Sequence, residues 1–151
     1  MVTLEPLQPE DFERFLEQEI RGYAEAHVRN GNWPEDGAVE RSRKEFESLL
    51  PDGIHSKDQY LWSLTEGDRK VGVLWVQVKD QKAFIYDFVI DEALRGKGYG
   101  KQALMALDKK LESMDVKSVG LHVFGDNIIA QELYKKVGYQ ITGIQMKKKL
   151  K

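Results

Sequence analysis

The stretch Asp87-Phe88-Val89-Ile90-Asp91-Glu92-Ala93-Leu94-Arg95-Gly96-Lys97-Gly98-Tyr99-Gly100-Lys101 leads from an apolar strand into a helix through a loop with glycine at every second position. Glycines placed this way let the backbone curl until its N–H groups face one point, which makes an anion cradle. The helix that follows adds a partial positive charge at its start, and Arg95 and Lys101 flank the turn, so a phosphate or pyrophosphate suits the loop. A tight glycine turn required only for packing reads the same in isolation.

Two familiar phosphate loops do not match. A P-loop needs G-x-x-x-x-G-K-[ST], but Gly96 to Gly100 is one residue short and Gln102 stands where the magnesium-binding hydroxyl belongs. A dinucleotide fingerprint needs G-x-G-x-x-G inside a βαβ unit, whereas Gly96, Gly98 and Gly100 give G-x-G-x-G. A nucleotide-binding protein is therefore disfavoured.

Working outward, three strands precede the loop: Gln59 to Thr65, Lys70 to Val78 and Lys82 to Asp91, joined by the short turns Glu66-Gly67-Asp68 and Lys79-Asp80-Gln81. Turns this short predict an antiparallel meander. The third strand is apolar on both alternating sets, as a central strand covered on both faces would be, with Asp87 its polar exception. Upstream, a strand at Thr3 to Leu7 leads into a helix from Pro9-Glu10-Asp11 to about Asn30, with Phe12, Phe15, Leu16, Ile20, Tyr23, Ala24 and His27 along one stripe. His27 on that stripe reads as a core-edge residue. A second amphipathic helix is predicted from Ala38 to Leu50.

Downstream, a helix from Tyr99 to Met114 buries Ala103, Leu104, Leu107, Leu111 and Met114, and a strand follows at Ser118 to Phe124. A last helix, Asn127 to Val137, stops at Gly138, and strands are expected at Tyr139 to Gly143 and Ile144 to Leu150. The order is α+β in one domain over residues 1–151, with no repeat or long linker.

Composition limits the function. The 151 residues carry no cysteine, which removes disulfides, thiolate metal sites and a cysteine nucleophile together. A net charge of -2 gives no general basic footprint for nucleic acid, and Lys147, Lys148, Lys149 and Lys151 read as a solvated strand face. Charged residues make up 32% and hydrophobic residues 41%, which indicates neither disorder nor a membrane span. The first ten residues have no apolar h-region, so a cytoplasmic protein is expected.

Arg95-Gly96-Lys97-Gly98-Tyr99-Gly100 resembles the [QR]-x-x-G-x-[GA] motif of the GNAT superfamily of N-acetyltransferases. Leu121-His122-Val123, Asn127, Ala130, Leu133-Tyr134, Lys136 and Gly138-Tyr139 are similar, position by position, to that family's L-x-V-x-x-x-N-x-x-A-x-x-L-Y-x-K-x-G-[FY] segment. The resemblance is close from Phe84 to Leu150 and is weakest from Phe12 to Asp58, where such proteins differ most. It implies the acyl-CoA N-acyltransferase fold: a mixed, mostly antiparallel sheet of about seven strands, splayed between the fourth and fifth, with four helices.

The resemblance also implies acetyl-CoA as co-substrate. Backbone groups of Phe88, Val89 and Ile90 would pair with pantetheine as an added strand would. Pyrophosphate would meet the N–H groups of Arg95, Gly96, Gly98, Tyr99 and Gly100, with Lys97 and Lys101 in the same cradle, and Asn127 would face the pantetheine arm. An N–H near Phe88 would polarise the thioester carbonyl. Tyr134 matches the family's tyrosine acid for the departing thiolate, though on its own apolar stripe it also reads as core.

An amine is mostly protonated at neutral pH, so a base is needed as well. His122 stands where N-terminal acetyltransferases of the superfamily often carry glutamate; Asp87, Tyr86 and an ordered water are the alternatives. No metal is expected. A non-catalytic CoA-binding sensor or interaction module is the second reading. Glu17, Glu19, Glu25, Glu35 and Asp36 would favour a cationic amine, while the acceptor's identity, the acyl chain preferred beyond acetyl and a homodimer stay open. Neither nucleic acid nor membrane is an expected partner.

Overall fold

The computed structural model describes all 151 residues. The sheet has five strands in sequence order: β1 (Val2–Pro6), β2 (Gln59–Glu66), β3 (Arg69–Lys79), β4 (Lys82–Ile90) and β5 (Ser118–Leu121). The first four pair antiparallel and β5 joins β4 in parallel. The expected meander is present, its turns closed within a residue of the predicted bounds. Four helices accompany the sheet: α1 (Pro9–Arg29), α2 (Ala38–Leu49), α3 (Tyr99–Ser113) and α4 (Ile128–Lys136).

The helices form because each presents one apolar stripe to the sheet. From α1, Phe12, Phe15 and Ile20 meet Phe46 and Leu50 of the second helical segment and Leu61 and Trp75 of the sheet. The opposite face packs Ala103, Leu104, Leu107 and Leu111 of α3 against Leu64, Val71, Leu74 and Val76. Burying such a side chain fully stabilises by roughly 1.5–3 kcal/mol relative to exposure, so these two layers hold the sheet between them. One buried polar contact joins the first pair of helices, where the Ser42 hydroxyl donates to the Ile20 carbonyl at 2.7 Å.

From Val73 to Val76 on β3 the side chains alternate, Leu74 and Val76 to the α3 layer and Val73 and Trp75 to the α1 layer. In β4 the register slips between Trp75↔Asp87 and Val76↔Ile85, which leaves Tyr86 as an extra, unpaired residue. Such a β-bulge breaks the strict alternation and re-aims neighbouring side chains. Ile85 and Phe88 pack with the α3 layer while the consecutive residues Tyr86 and Asp87 both turn to the α1 side, and all four border one cavity. The parallel pairing with β5 also ends at Ile85↔Leu121. From Tyr86 to Ile90 the outer edge of β4 therefore has no strand beside it, and the sheet splays between its fourth and fifth strands as expected.

The C-terminal segment corrects the sequence reading. The strand after α3 stops at Leu121 rather than Phe124, and no strand forms at Tyr139 to Gly143 or Ile144 to Leu150, so the sheet has five strands and not about seven. Alternating apolar residues are not enough for a strand, which also needs a ladder partner and a surface that buries one face. Neither is met here: Ile141, Ile144, Met146 and Leu150 are 61%, 72%, 87% and 84% exposed. No helix is long and apolar enough to cross a membrane.

Candidate acetyl-transfer site

Two neighbouring features meet at the splayed edge of β4. One is built from backbone. Gly96 and Gly98 have φ of 78° and 85°, in the left-handed region that favours glycine, and Gly98 is the N-cap residue immediately before α3. The first hydrogen bond of that helix runs from Gln102 N–H to the Gly98 carbonyl, so the N–H groups of Tyr99, Gly100 and Lys101 are the unpaired donors of a helix start. The Gly96, Lys97 and Gly98 N–H groups meet no backbone carbonyl either, and all three residues are exposed. These donors fit a pyrophosphate. Gly100 matters for clearance: a Cβ there would stand 3.0 Å from Leu133 Cδ2.

Arg95 differs from its expected part. Its N–H donates to the Glu92 carbonyl and its Nε donates to the Ile90 carbonyl at 3.1 Å, so it braces the end of β4 and its backbone donor is spent. The Val89 and Ile90 backbones border the splay, but the Phe88 N–H donates to Asp87 Oδ1 at 2.9 Å. A carbonyl entering the splay must take that donor from the carboxyl. Asn127 caps α4, its Oδ1 accepting from the Ala130 N–H at 3.2 Å, and it borders the second feature.

That second feature is a cavity of about 390 Å³ between α1, α2, β4, the end of β5 and α4. Tyr134 stands in its wall with its ring centroid 6.5 Å from that of Phe88. Burial, and then the Asp87 carboxyl, push the Tyr134 phenol up to about 12, so it keeps its proton at neutral pH. Asp87 faces Glu19 of α1. Burial first, then the Glu19 carboxylate, raise the Asp87 pKa well above the usual carboxylate range, while the Phe88 N–H pulls the other way. His122 lies just past the end of β5 in the same lining, exposed, edge-on to Phe124 at 5.5 Å. Tyr86 lines the cavity too, packed on Trp75.

Of the five acids read as favouring a cationic amine, only Glu19 reaches the cavity; Glu17 is outside it, paired with Arg43 at 2.7 Å. Glu45 was missed. A signal existed, because Glu19 and Glu45 fall inside apolar stripes, between Phe15 and Tyr23 on α1 and between Ser42 and Leu49 on α2. His27 is the core-edge residue expected, stacked on Trp33 at 4.1 Å, and burial lowers its pKa.

A glycine cradle at a helix start lies beside a splayed strand and an enclosed tyrosine, the arrangement expected of the acyl-CoA N-acyltransferase fold, and the family comparison agrees on that fold. The model of the acetyltransferase (GNAT) family matches residues 26–139, and the chain belongs to that family. Among individual proteins it is 42% identical over 154 residues to the uncharacterized N-acetyltransferase YycN of Bacillus subtilis, covering 99% of both chains. The crystal structure of YycN superposes with a TM-score of 0.96 at 41% identity and 99% coverage of each chain. At 18% identity, with 96% and 93% coverage, the PaiA N-acetyltransferase of Thermoplasma acidophilum, solved in complex with coenzyme A, shares the fold with a TM-score of 0.72.

Proposed function

We propose that this protein transfers the acetyl group of acetyl-CoA to a primary amine by direct attack, with Tyr134 as the acid and the Asp87–Glu19 pair as the base. The observation that carries the reading is the shared boundary of the two features: Tyr134, Asp87 and Phe88 line the cavity at the place where β4 parts from β5.

The cradle of Gly96 to Lys101 N–H groups holds the pyrophosphate, and the free edge of Val89 and Ile90 pairs with the pantetheine arm. The thioester carbonyl takes the Phe88 N–H, which releases Asp87 Oδ1 into the cavity. As the nitrogen–carbon bond forms and the carbon–sulfur bond breaks, the nitrogen gives its proton to the Asp87–Glu19 pair and sulfur takes one from Tyr134. A phenol at about 12 loses its proton to a thiolate with pKa near ~8.5 only uphill, so its proton must be replaced at once. Asp87, close enough to raise the Tyr134 pKa, is placed to do this. His122, exposed at the mouth, is the weaker base candidate.

A CoA-binding module without turnover has no use for an enclosed phenol and a proton-holding carboxyl at the splay, which favours the enzyme. The test is thiol release from acetyl-CoA with a panel of primary amines. Amine-dependent release above the rate of hydrolysis is expected; release no faster with any amine than without would sink the proposal.

A further inference from the structure

Three carboxylates line the cavity, Glu19, Glu45 and Asp87, and no lysine or arginine does. All three are half-buried, and none takes part in an ion pair. Arg41, one turn before Glu45 on α2, lies over the Trp33 ring at 4.5 Å, outside the lining. Enclosed carboxylates are ordinarily paired with a cation, and here the lining offers no lysine or arginine to them. The same lining carries Tyr23, Phe46, Trp75, Tyr86 and Phe124, whose ring faces attract ammonium groups and cover methylene chains.

The acids sit at two separate places. Glu19 of α1 meets Asp87 of β4 beside Tyr134, where the chemistry is, whereas Glu45 enters the lining from α2, next to Phe46. A volume of about 390 Å³ is near the lower end for ligand cavities and suits a slender chain.

We infer that the acceptor is a linear aliphatic diamine or polyamine, its reacting nitrogen at Asp87 and Glu19, its methylenes along Tyr23 and Phe46, and its second ammonium at Glu45. An amino acid would bring its own carboxylate against these acids. An amino sugar would lay hydroxyls on aromatic walls that offer them few partners. The inference rests on the acetyl-transfer reading for its reacting end and on the cavity alone for its charged end.

Two measurements test it: CoA release with putrescine, spermidine, n-butylamine and alaninamide, and calorimetric titration of putrescine into the CoA-saturated protein. Putrescine should exceed n-butylamine in kcat/KM by about ten-fold or more, the usual scale for one charged contact. Glu45→Gln should bring that ratio close to one and weaken putrescine binding by a similar factor, while Glu17→Gln on the outer face keeps both. Release with all amines at equal efficiency, or a preference that survives Glu45→Gln, overturns the substrate class and leaves acetyl transfer standing. Putrescine binding that depends on Glu45 without release from any amine keeps the diamine site and overturns acetyl transfer. Neither binding nor release overturns both.

Discussion

The cradle at Gly96 to Lys101 and the cavity behind Asp87, which the proposal joins in one reaction, are made in opposite ways. The cradle consists of consecutive backbone donors, so its function depends on chain conformation and hardly at all on which side chains it carries. The cavity draws its side chains from α1, α2, β3, β4, β5 and α4, and its chemistry depends on their identity. A backbone site is local in sequence and robust to substitution; a side-chain site is dispersed and can be changed one residue at a time.

The sharpest way to break the comparison is at Tyr134. Tyr134→Phe keeps the ring and its packing but removes the proton, so kcat should fall by roughly 10²–10⁴ with acetyl-CoA affinity and melting temperature nearly unchanged. A variant keeping half of wild-type kcat in single-turnover experiments would make Tyr134 a wall residue and nothing more.

Next in size is the base. Asp87→Asn should lower kcat by about 10²-fold or more, and His122→Gln by much less. The stability effect of the first has the opposite sign. Because the folded pKa of Asp87 lies above its unfolded value, the favourable contribution is complete below about 3.9 and is lost as pH rises through the folded value. Asp87→Asn should therefore raise the melting temperature at neutral pH by a few degrees and flatten its fall with pH, as scanning calorimetry across a pH series would show. A variant that melts lower at neutral pH would contradict the burial and pairing assigned to Asp87.

In the cradle, substitutions should separate conformation from charge. Acetyl-CoA should raise the melting temperature of the wild type, since a ligand that binds only the folded state stabilises it. Gly98→Glu sets an anion among the donors and should abolish that shift. Gly98→Ala meets nothing closer than Gln102 Nε2 at 4.0 Å and bears only the left-handed strain of ~1–2 kcal/mol, so it should melt lower yet keep the shift. Loss of the shift in both variants would mean that conformation, not charge, governs the loop.

Smaller effects come from the two helices, α1 and α2, that wall the cavity. Ser42→Ala removes the buried bond to the Ile20 carbonyl and should cost about 1–2 kcal/mol in denaturant unfolding. Glu17→Gln breaks only the exposed pair with Arg43 and should leave stability and turnover unchanged within error.

Sequence alone determined the meander, the four helices to within one or two residues, the cradle glycines and the position of Tyr134. Each of these is recorded locally, as periodicity, as turn residues or as an ordered motif, because local backbone preference and burial on one face suffice to specify it. Tertiary structure decided the rest. The β-bulge at Tyr86 turns Asp87 into the cavity and cannot be read from an apolar run in which either register looks acceptable. The partnership of Asp87 with Glu19, 68 positions earlier in the chain, arises only when α1 packs across the splay. The C-terminal strands failed for the same reason, since the alternation of Ile141 to Leu150 is local whereas a ladder needs a neighbour that sequence does not name. Elements follow from the order of residues along the chain, but a side-chain site depends on which distant surfaces come to face one another.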